Sequence, residues 1–168
     1  MLANTSYKRI HVLLQFYHIL NNEERSELSN LNVTLCSYVH NNAYFASIPT
    51  KYLTDIYNLS FVRWIGEILP EDKISPIIRE NRIPPGAVNP DGTVNLLVSV
   101  FEDVPIDKAK QAINKHGRVV EEPIMSNIWT VIIPNETITD LADEDAVQWI
   151  EEVMQPKKTF DGGMEVEK

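Results

Sequence analysis

The stretch Val147-Gln-Trp-Ile-Glu-Glu152 near the end of the chain has a counterpart near its middle, Val62-Arg-Trp-Ile-Gly-Glu67. Both segments read Val-x-Trp-Ile-x-Glu, and they lie 85 residues apart. The same offset relates other pairs along the chain: Phe16 and Phe101, Asn42 and Asn127, Ile48-Pro49 and Ile133-Pro134, and Asp55 and Asp140. Chance would rarely place so many matches in one register without a gap, so the sequence predicts two copies of one unit.

Each copy opens with a strand and a helix. The runs "RIHVLLQFY" and "VNLLVSVFE" alternate apolar and other residues with a period of two, which indicates strands. In the second copy Pro105 suits a first helical turn, and Gly117 is predicted to end the helix as a left-handed cap. The apolar stripe of that helix consists of Ile106, Ala109, Ala112 and Ile113. The corresponding helix of the first copy is weaker, with Leu28 and Leu31 after "NNEER".

Each copy continues with two extended runs, a short helix and the Trp-bearing strand. The extended runs are joined near His40 to Asn42 and near Ser126 and Asn127, as hairpins are. Thr50 and Asn135 are predicted to be N-caps of the short helices. The element order is therefore βαββαβ, given twice. It predicts an α+β protein of two ferredoxin-like units in tandem, each an antiparallel sheet with its helices on one face.

The repeat and the composition predict where each unit begins and ends. The first repeat spans 8–74, the second spans 93–156, and 157–168 form a C-terminal tail. Residues 75–92 between them contain four prolines and two glycines, which predicts an extended, fairly stiff linker.

Because the helices lie on one side of each predicted sheet, the other side of each sheet is left bare. A unit of about 70 residues is marginally stable alone, so a packing partner for that bare face is expected.

Charge and composition exclude several classes of partner. The 24 acidic and 15 basic side chains give a net charge of −9, which opposes nucleic-acid binding. No apolar run approaches the length of a membrane span, so no membrane partner is expected. Cys36 is the sole cysteine, which rules out an internal disulfide and a cysteine-rich zinc site.

The residues that usually carry catalysis form no recognisable set. His11, His18 and His40 have no carboxylate or histidine partner at helical spacing and are expected to be solvated or to lie in hairpins. His116-Gly117 falls where a helix is expected to end, and the Gly-x-Ser-x-Gly motif is absent. The chain is therefore predicted to be no enzyme by itself, with no metal and no cofactor. No candidate catalytic residues in the sequence support an active site formed between the two copies.

The second copy resembles the propeptide domain of subtilisin-like serine proteases. The resemblance runs from "TVNLLVSVFEDVPIDKAKQAINKHGRVVEEPIMSNIWTVIIP" to "DEDAVQWIEEVMQPKK". It rests on an opening strand that ends in Phe101, a helix with Ala109 and Ile113, a hairpin, and a final Val-x-aromatic-Ile-Glu-Glu strand that leads into a tail. The first copy follows in the same register, so the chain looks like a tandem pro-region. The catalytic Asp, His-Gly-Thr and Gly-Thr-Ser-Met-Ala blocks of the family are missing.

The resemblance implies an intramolecular chaperone and autoinhibitor. In that family the propeptide sheet packs on two helices of a catalytic domain that follows in cis, and the propeptide tail occupies the substrate cleft. The implied protease-binding residues are Glu151, Glu152, Val153, Met154, Gln155, Pro156, Lys157, Lys158, Thr159 and Phe160. A cleavage junction is expected near Lys158 to Gly163. The resemblance also implies a secreted or cell-surface protein, although "MLANTSYKR" lacks the apolar core of a signal peptide.

The alternative is a freestanding pair of ferredoxin-like modules that bind a small ligand or pair through their sheets. The fold alone is compatible with it, because this fold serves many functions. The lack of a Gly-rich ligand loop and the strand-to-tail ending argue against it. The reading frame downstream of Lys168 discriminates between the two hypotheses.

Overall fold

A computed structural model describes residues 8–124 and 126–153. Within these ranges the chain forms eight strands and five α-helices. They are β1 (Arg9–Phe16), α1 (Asn22–Asn30), β2 (Thr34–Tyr38), β3 (Ala43–Pro49), α2 (Leu53–Tyr57), β4 (Val62–Gly66), α3 (Pro76–Arg79), β5 (Thr93–Val100), α4 (Ile106–Asn114), β6 (Arg118–Glu121), β7 (Ile128–Pro134), α5 (Ile138–Asp143) and β8 (Val147–Glu152).

The strands form two sheets with the same topology. The first has the order β2-β3-β1-β4, the second β6-β7-β5-β8, and all neighbours are antiparallel. This confirms the prediction of two tandem ferredoxin-like units. The period-two pattern places the core as expected: Val94, Leu96, Val98 and Val100 of β5 are at most 2% exposed and pack in the second core.

The two long helices form for different local reasons. Three residues of the predicted apolar stripe of α4, Ala109, Ala112 and Ile113, are buried. The fourth, Ile106 in the first turn, is 59% exposed, so the prediction is wrong there. α1 has a single buried leucine, Leu28, but begins with a capping box in which Asn21 and Glu24 each bond to the other's backbone. Among the described residues, no helix is both long enough and apolar enough to cross a membrane.

The prediction that Thr50 and Asn135 are N-caps is wrong. Both residues begin short 3₁₀ turns, Thr50–Tyr52 and Asn135–Thr137, whose N-caps are Pro49 and Pro134 and have no side-chain cap bond. The hydroxyl of Thr50 donates instead to the carbonyl of Lys8. A 3₁₀ turn tightens the entry to each helix, so the polar residue lies one position inside the turn.

The prediction of a left-handed cap at Gly117 is also wrong. Lys115 is the C-cap of α4, and among the described glycines only Gly92 has a positive φ. Glycine is needed at position 117 for a different reason. A Cβ there would lie 2.6 Å from the backbone oxygen of Ile132 and 3.0 Å from Cβ of Ile133. The chain therefore passes too close to β7 for any side chain.

Replacing Gly117 with alanine is expected to lower the free energy of unfolding by about 1–3 kcal/mol, because the added methyl group meets backbone atoms that cannot move aside cheaply. The measurement is the urea midpoint, with an unchanged m-value as the sign that only stability has changed. A midpoint equal to that of the parent chain would contradict the close approach.

The constant offset of 85 residues between the two copies is wrong for the first half of each copy, where the offset is 84. Phe16 pairs with Val62 in the first sheet, and Val100 pairs with Val147 in the second. Phe16 therefore corresponds to Val100, at an offset of 84, and Phe101 corresponds to Tyr17. The offset changes in the hairpins, since Thr34 pairs with Ser47 whereas Arg118 pairs with Ile132. A single extra residue in the second hairpin accounts for the difference.

The segment that the composition marks as a linker is folded onto the second unit. Ile74, Ile78 and Ala87 are buried in the second hydrophobic core. Ile74 makes a parallel bridge to Ile150, and the amide of Ser75 donates to the carbonyl of Ile150 at 2.9 Å. The prolines interrupt regular structure as expected, but the apolar residues between them give the segment a surface to bury. The segment therefore extends the second unit and does not act as a spacer.

Candidate functional site

The side of the second sheet that faces away from its helices is called here the second open face. It carries Asn95, Leu97 and Ser99 of β5, Ile128, Thr130 and Ile132 of β7, and Trp149 and Glu151 of β8. Ile128 is 43% exposed, and Leu97, Ile132 and Trp149 are half-buried. The face thus offers water an apolar surface formed by three adjacent strands, which is the bare face that the sequence predicts.

The two glutamates at the end of β8 lie on opposite sides of the sheet. Glu151 is exposed on the second open face, where its carboxylate accepts a hydrogen bond from the indole of Trp149 at 3.1 Å. Glu152 is 6% exposed on the helix side and accepts from the hydroxyl of Ser75 at 2.7 Å. Of the two, Glu151 is the one accessible to a partner, because Glu152 is occupied within its own unit.

The remaining predicted docking residues follow β8. Val153 is half-buried, and its amide lies 3.5 Å from the carbonyl of Asn95, so the chain still follows β5 there. The other predicted residues, Met154, Gln155, Pro156, Lys157, Lys158, Thr159 and Phe160, lie outside the described residues. The proposed cleavage region from Lys158 to Gly163 lies outside them as well.

The open side of the first sheet contacts the second unit. Phe101 is 1% exposed, and its ring stacks on the imidazole of His11 with centroids 4.0 Å apart. The same ring meets Phe45 edge-on at 5.7 Å. His11 and Phe45 belong to β1 and β3 on the side away from the first core. The segment that follows β5 therefore covers part of the first sheet, and the two units share a junction.

His11 is held at this junction by two aspartates of the second unit. Its Nε2 lies 2.8 Å from Oδ1 of Asp103, and its Nδ1 lies 2.8 Å from Oδ2 of Asp145. The backbone amide of His11 also donates to Asp145, at 2.8 Å. A neutral imidazole can donate from only one nitrogen, so this arrangement favours the doubly protonated ring.

The junction shifts the pKa values of its members. Burial alone would lower the pKa of His11, but the hydrogen bonds and charges of Asp103 and Asp145 outweigh it and raise the value. Burial alone would raise the pKa of Asp103, yet hydrogen bonds with His11 and Ser47 bring it down to about 2. Cys36 lies beside His11 and Asp103. Its pKa is raised to about 11, mainly by burial and to a smaller extent by the charge of Asp103. In the absence of a metal ion this thiol is protonated at neutral pH and is therefore no nucleophile.

The expectation that His11 is solvated or in a hairpin is wrong. Its side chain is 5% exposed, whereas that of His18 is 55% exposed beside Glu24. Sequence spacing misses the junction because its members come from β1 and from the loops that follow β5 and α5, which are far apart in the chain. The available signal is the alternation of β1, which places His11 on the side opposite Ile10 and Val12.

A cavity of about 600 Å³ opens at the same junction. Its walls include His11, Leu53, Tyr57, Lys73, Asp143 and Asp145. Lys73 is 4% exposed and donates to the carbonyl of Glu144 at 3.0 Å, and burial lowers its pKa although neighbouring carboxylates oppose the shift. The cavity thus brings an imidazole, an ammonium group and two carboxylates together at the junction.

The fold and its surfaces define a protein of two ferredoxin-like units. The open side of the first sheet contacts the second unit, whereas the second open face is exposed to solvent. A family model described as Domain of unknown function (DUF8729) matches residues 2–69, which is 68 of the 168 residues. The match includes every strand of the first sheet and ends before the segment that packs on the second core. No curated protein and no solved structure matches the chain.

Proposed function

We propose that this chain is the pro-region of a subtilisin-like serine protease, acting as intramolecular chaperone and autoinhibitor. The observation that carries the proposal is the second open face, an apolar sheet surface at the end of a strand that leads directly to the C-terminal segment. A catalytic domain in cis would cover this face, and the segment after Glu152 would lie in its substrate cleft. The chain supplies no catalytic residue to the reaction.

The chemistry of the second open face suits a helical partner surface. Leu97, Ile132 and Trp149 give it an apolar centre, and burying such a centre is the main source of affinity in protein interfaces. Glu151 at its edge carries a negative charge, which is favoured near the N-termini of partner helices. The indole of Trp149 already orients this carboxylate, so less side-chain entropy is lost on docking.

The terminal segment adds a second mode of contact. β8 ends at Glu152 and the chain still follows β5 at Val153, and a chain that leaves a sheet in this way can pair with a cleft as an added strand. The sheet and the segment are covalently joined, so contact at one raises the effective concentration of the other. This coupling explains why an inhibitor would use both.

The first unit takes a supporting role in this proposal. Part of its open sheet side contacts Phe101 of the second unit, so that side is not free for a protease. Its last strand continues into Pro70–Lys73 and α3, which pack against α5 and β8. We propose that it stabilises the second unit, which is small for an independent domain.

The experiment is a titration of subtilisin with the full chain and with a chain that ends at Glu152. We expect the full chain to inhibit at micromolar concentrations and then to be cut slowly in its C-terminal segment, as product-like binders are. The shortened chain should lose most of the inhibition, by about tenfold or more, because only the sheet contact remains.

Circular dichroism and thermal unfolding of the shortened chain serve as the control for its fold. Equal inhibition with and without the segment would contradict the proposed mechanism. The alternative, a freestanding tandem binding module, predicts no inhibition at all, and a stop codon directly after Lys168 would favour it.

A further inference from the structure

We propose that His11, Cys36 and Asp103 bind one zinc ion at the junction between the two units. Nε2 of His11, Sγ of Cys36 and a carboxylate oxygen of Asp103 all lie within 4.8 Å of one another. The three groups come from β1, β2 and the loop after β5, so the first unit provides two ligands and the second unit provides one. This inference stands independently of the proposed protease partner.

The spacing of the three atoms suits a tetrahedral ion. Zinc bonds of about 2.0–2.3 Å place neighbouring ligand atoms roughly 3.3–3.6 Å apart. Sγ of Cys36 lies 3.8 Å from Oδ1 of Asp103, and Nε2 of His11 lies 2.8 Å from the same oxygen. The Asp103 carboxylate would have to move away from the ring on binding, because 2.8 Å is shorter than the spacing of two zinc ligands. The ion then takes the place of the proton between Nε2 and the carboxylate.

The surroundings hold the histidine as metal-binding proteins do. Asp145 accepts from Nδ1 at 2.8 Å, which leaves Nε2 as the nitrogen that faces Cys36 and Asp103. The second oxygen of Asp145 accepts from the backbone amide of His11, and the ring of Phe101 stacks parallel to the imidazole at 4.0 Å. A carboxylate on the remote ring nitrogen fixes the orientation of a histidine ligand and increases its basicity.

The mixture of ligands selects the kind of ion. One thiolate, one imidazole and one carboxylate are typical ligands of zinc, whereas magnesium and calcium prefer oxygen alone. The thiolate and the Asp103 carboxylate together balance the two positive charges. A cavity of about 700 Å³ borders His11, Asp103 and Asp145, and a water molecule from it would supply the fourth ligand.

An ion at this position has a structural consequence. It would bond to both units at the point where Phe101 packs against the first sheet, and so it would fix their relative orientation. Because such an ion binds the folded chain and not the unfolded one, it raises the melting temperature by mass action.

The test uses tag-free protein loaded with cobalt as a spectroscopic probe and with zinc for affinity. Cys36 is the sole cysteine, so any thiolate-to-cobalt charge-transfer band must come from it. We expect one cobalt ion per chain with this band and with the intense visible bands of a tetrahedral ion. Zinc affinity is measured by competition with a chromophoric chelator.

Three variants complete the test. Cys36→Ser should abolish the charge-transfer band and weaken zinc binding by about 100-fold or more, whereas Asp145→Asn should keep the band and weaken binding about 10–100-fold. His18→Gln, which replaces an exposed histidine, should bind as the parent chain does. Circular dichroism checks that each variant is folded. Absence of the band in the parent chain, or equal zinc affinity of parent and Cys36→Ser, would overturn the proposal.

Discussion

Phe101→Ala is expected to lower the free energy of unfolding by about 3–5 kcal/mol. The ring is 1% exposed, and it fills the space between His11 and Phe45 at the junction of the units. Its removal leaves a cavity there and also takes away the surface on which the imidazole stacks. The measurement is denaturant unfolding followed by far-ultraviolet circular dichroism, with calorimetry to detect a separation of the two units into two transitions.

Tyr17→Ala is the matched control for this change. Tyr17 occupies the corresponding position of the first unit: its amide donates to the carbonyl of Phe61, as that of Phe101 donates to Ala146. Tyr17 is 64% exposed, so its loss should change stability by no more than about 0.5 kcal/mol. Similar losses for the two variants would contradict the view that Phe101 joins the units.

Local patterns predicted most of the architecture because each unit is regular at short range. The alternation in β5 placed its buried residues correctly, the stripe of α4 did so except at Ile106, and the element order predicted both sheets. Errors occurred where a conformation depends on a distant neighbour. Gly117 is required by the backbone of β7, and the extra hairpin residue shifts the register of Phe101, neither of which a pattern within one element reveals.

The candidate sites differ in how far the sequence could predict them. The second open face follows from the period of the strands, which also assigns Trp149 and Glu151 to it. The burial of Glu152 depends on Ser75, which the proline-rich composition of 75–92 had suggested would lie in a spacer. The junction around His11 could not be predicted, because the residues that meet His11 lie 25 to 134 positions from it in the chain and reach it only through the tertiary fold.

The two tryptophans of the repeat offer a comparison within one chain. Trp64 and Trp149 occupy corresponding positions beside the central strand of each sheet, paired with Gln15 and Ser99. Trp64 is 47% exposed and lies across Gly66 on the first sheet. If a protease docks on the second open face, Trp149 is the aromatic side chain that it contacts there, and aromatic anchors typically contribute at least about 2 kcal/mol to binding.

The inhibition constants of Trp149→Ala and Trp64→Ala against subtilisin test whether the second open face binds the protease, with thermal unfolding used to verify that both variants are folded. We expect Trp149→Ala to weaken inhibition by about 30-fold or more, which corresponds to that energy, and Trp64→Ala to stay within about twofold of the parent chain. Equal effects of the two changes, or no inhibition by the parent chain, would contradict binding at that face.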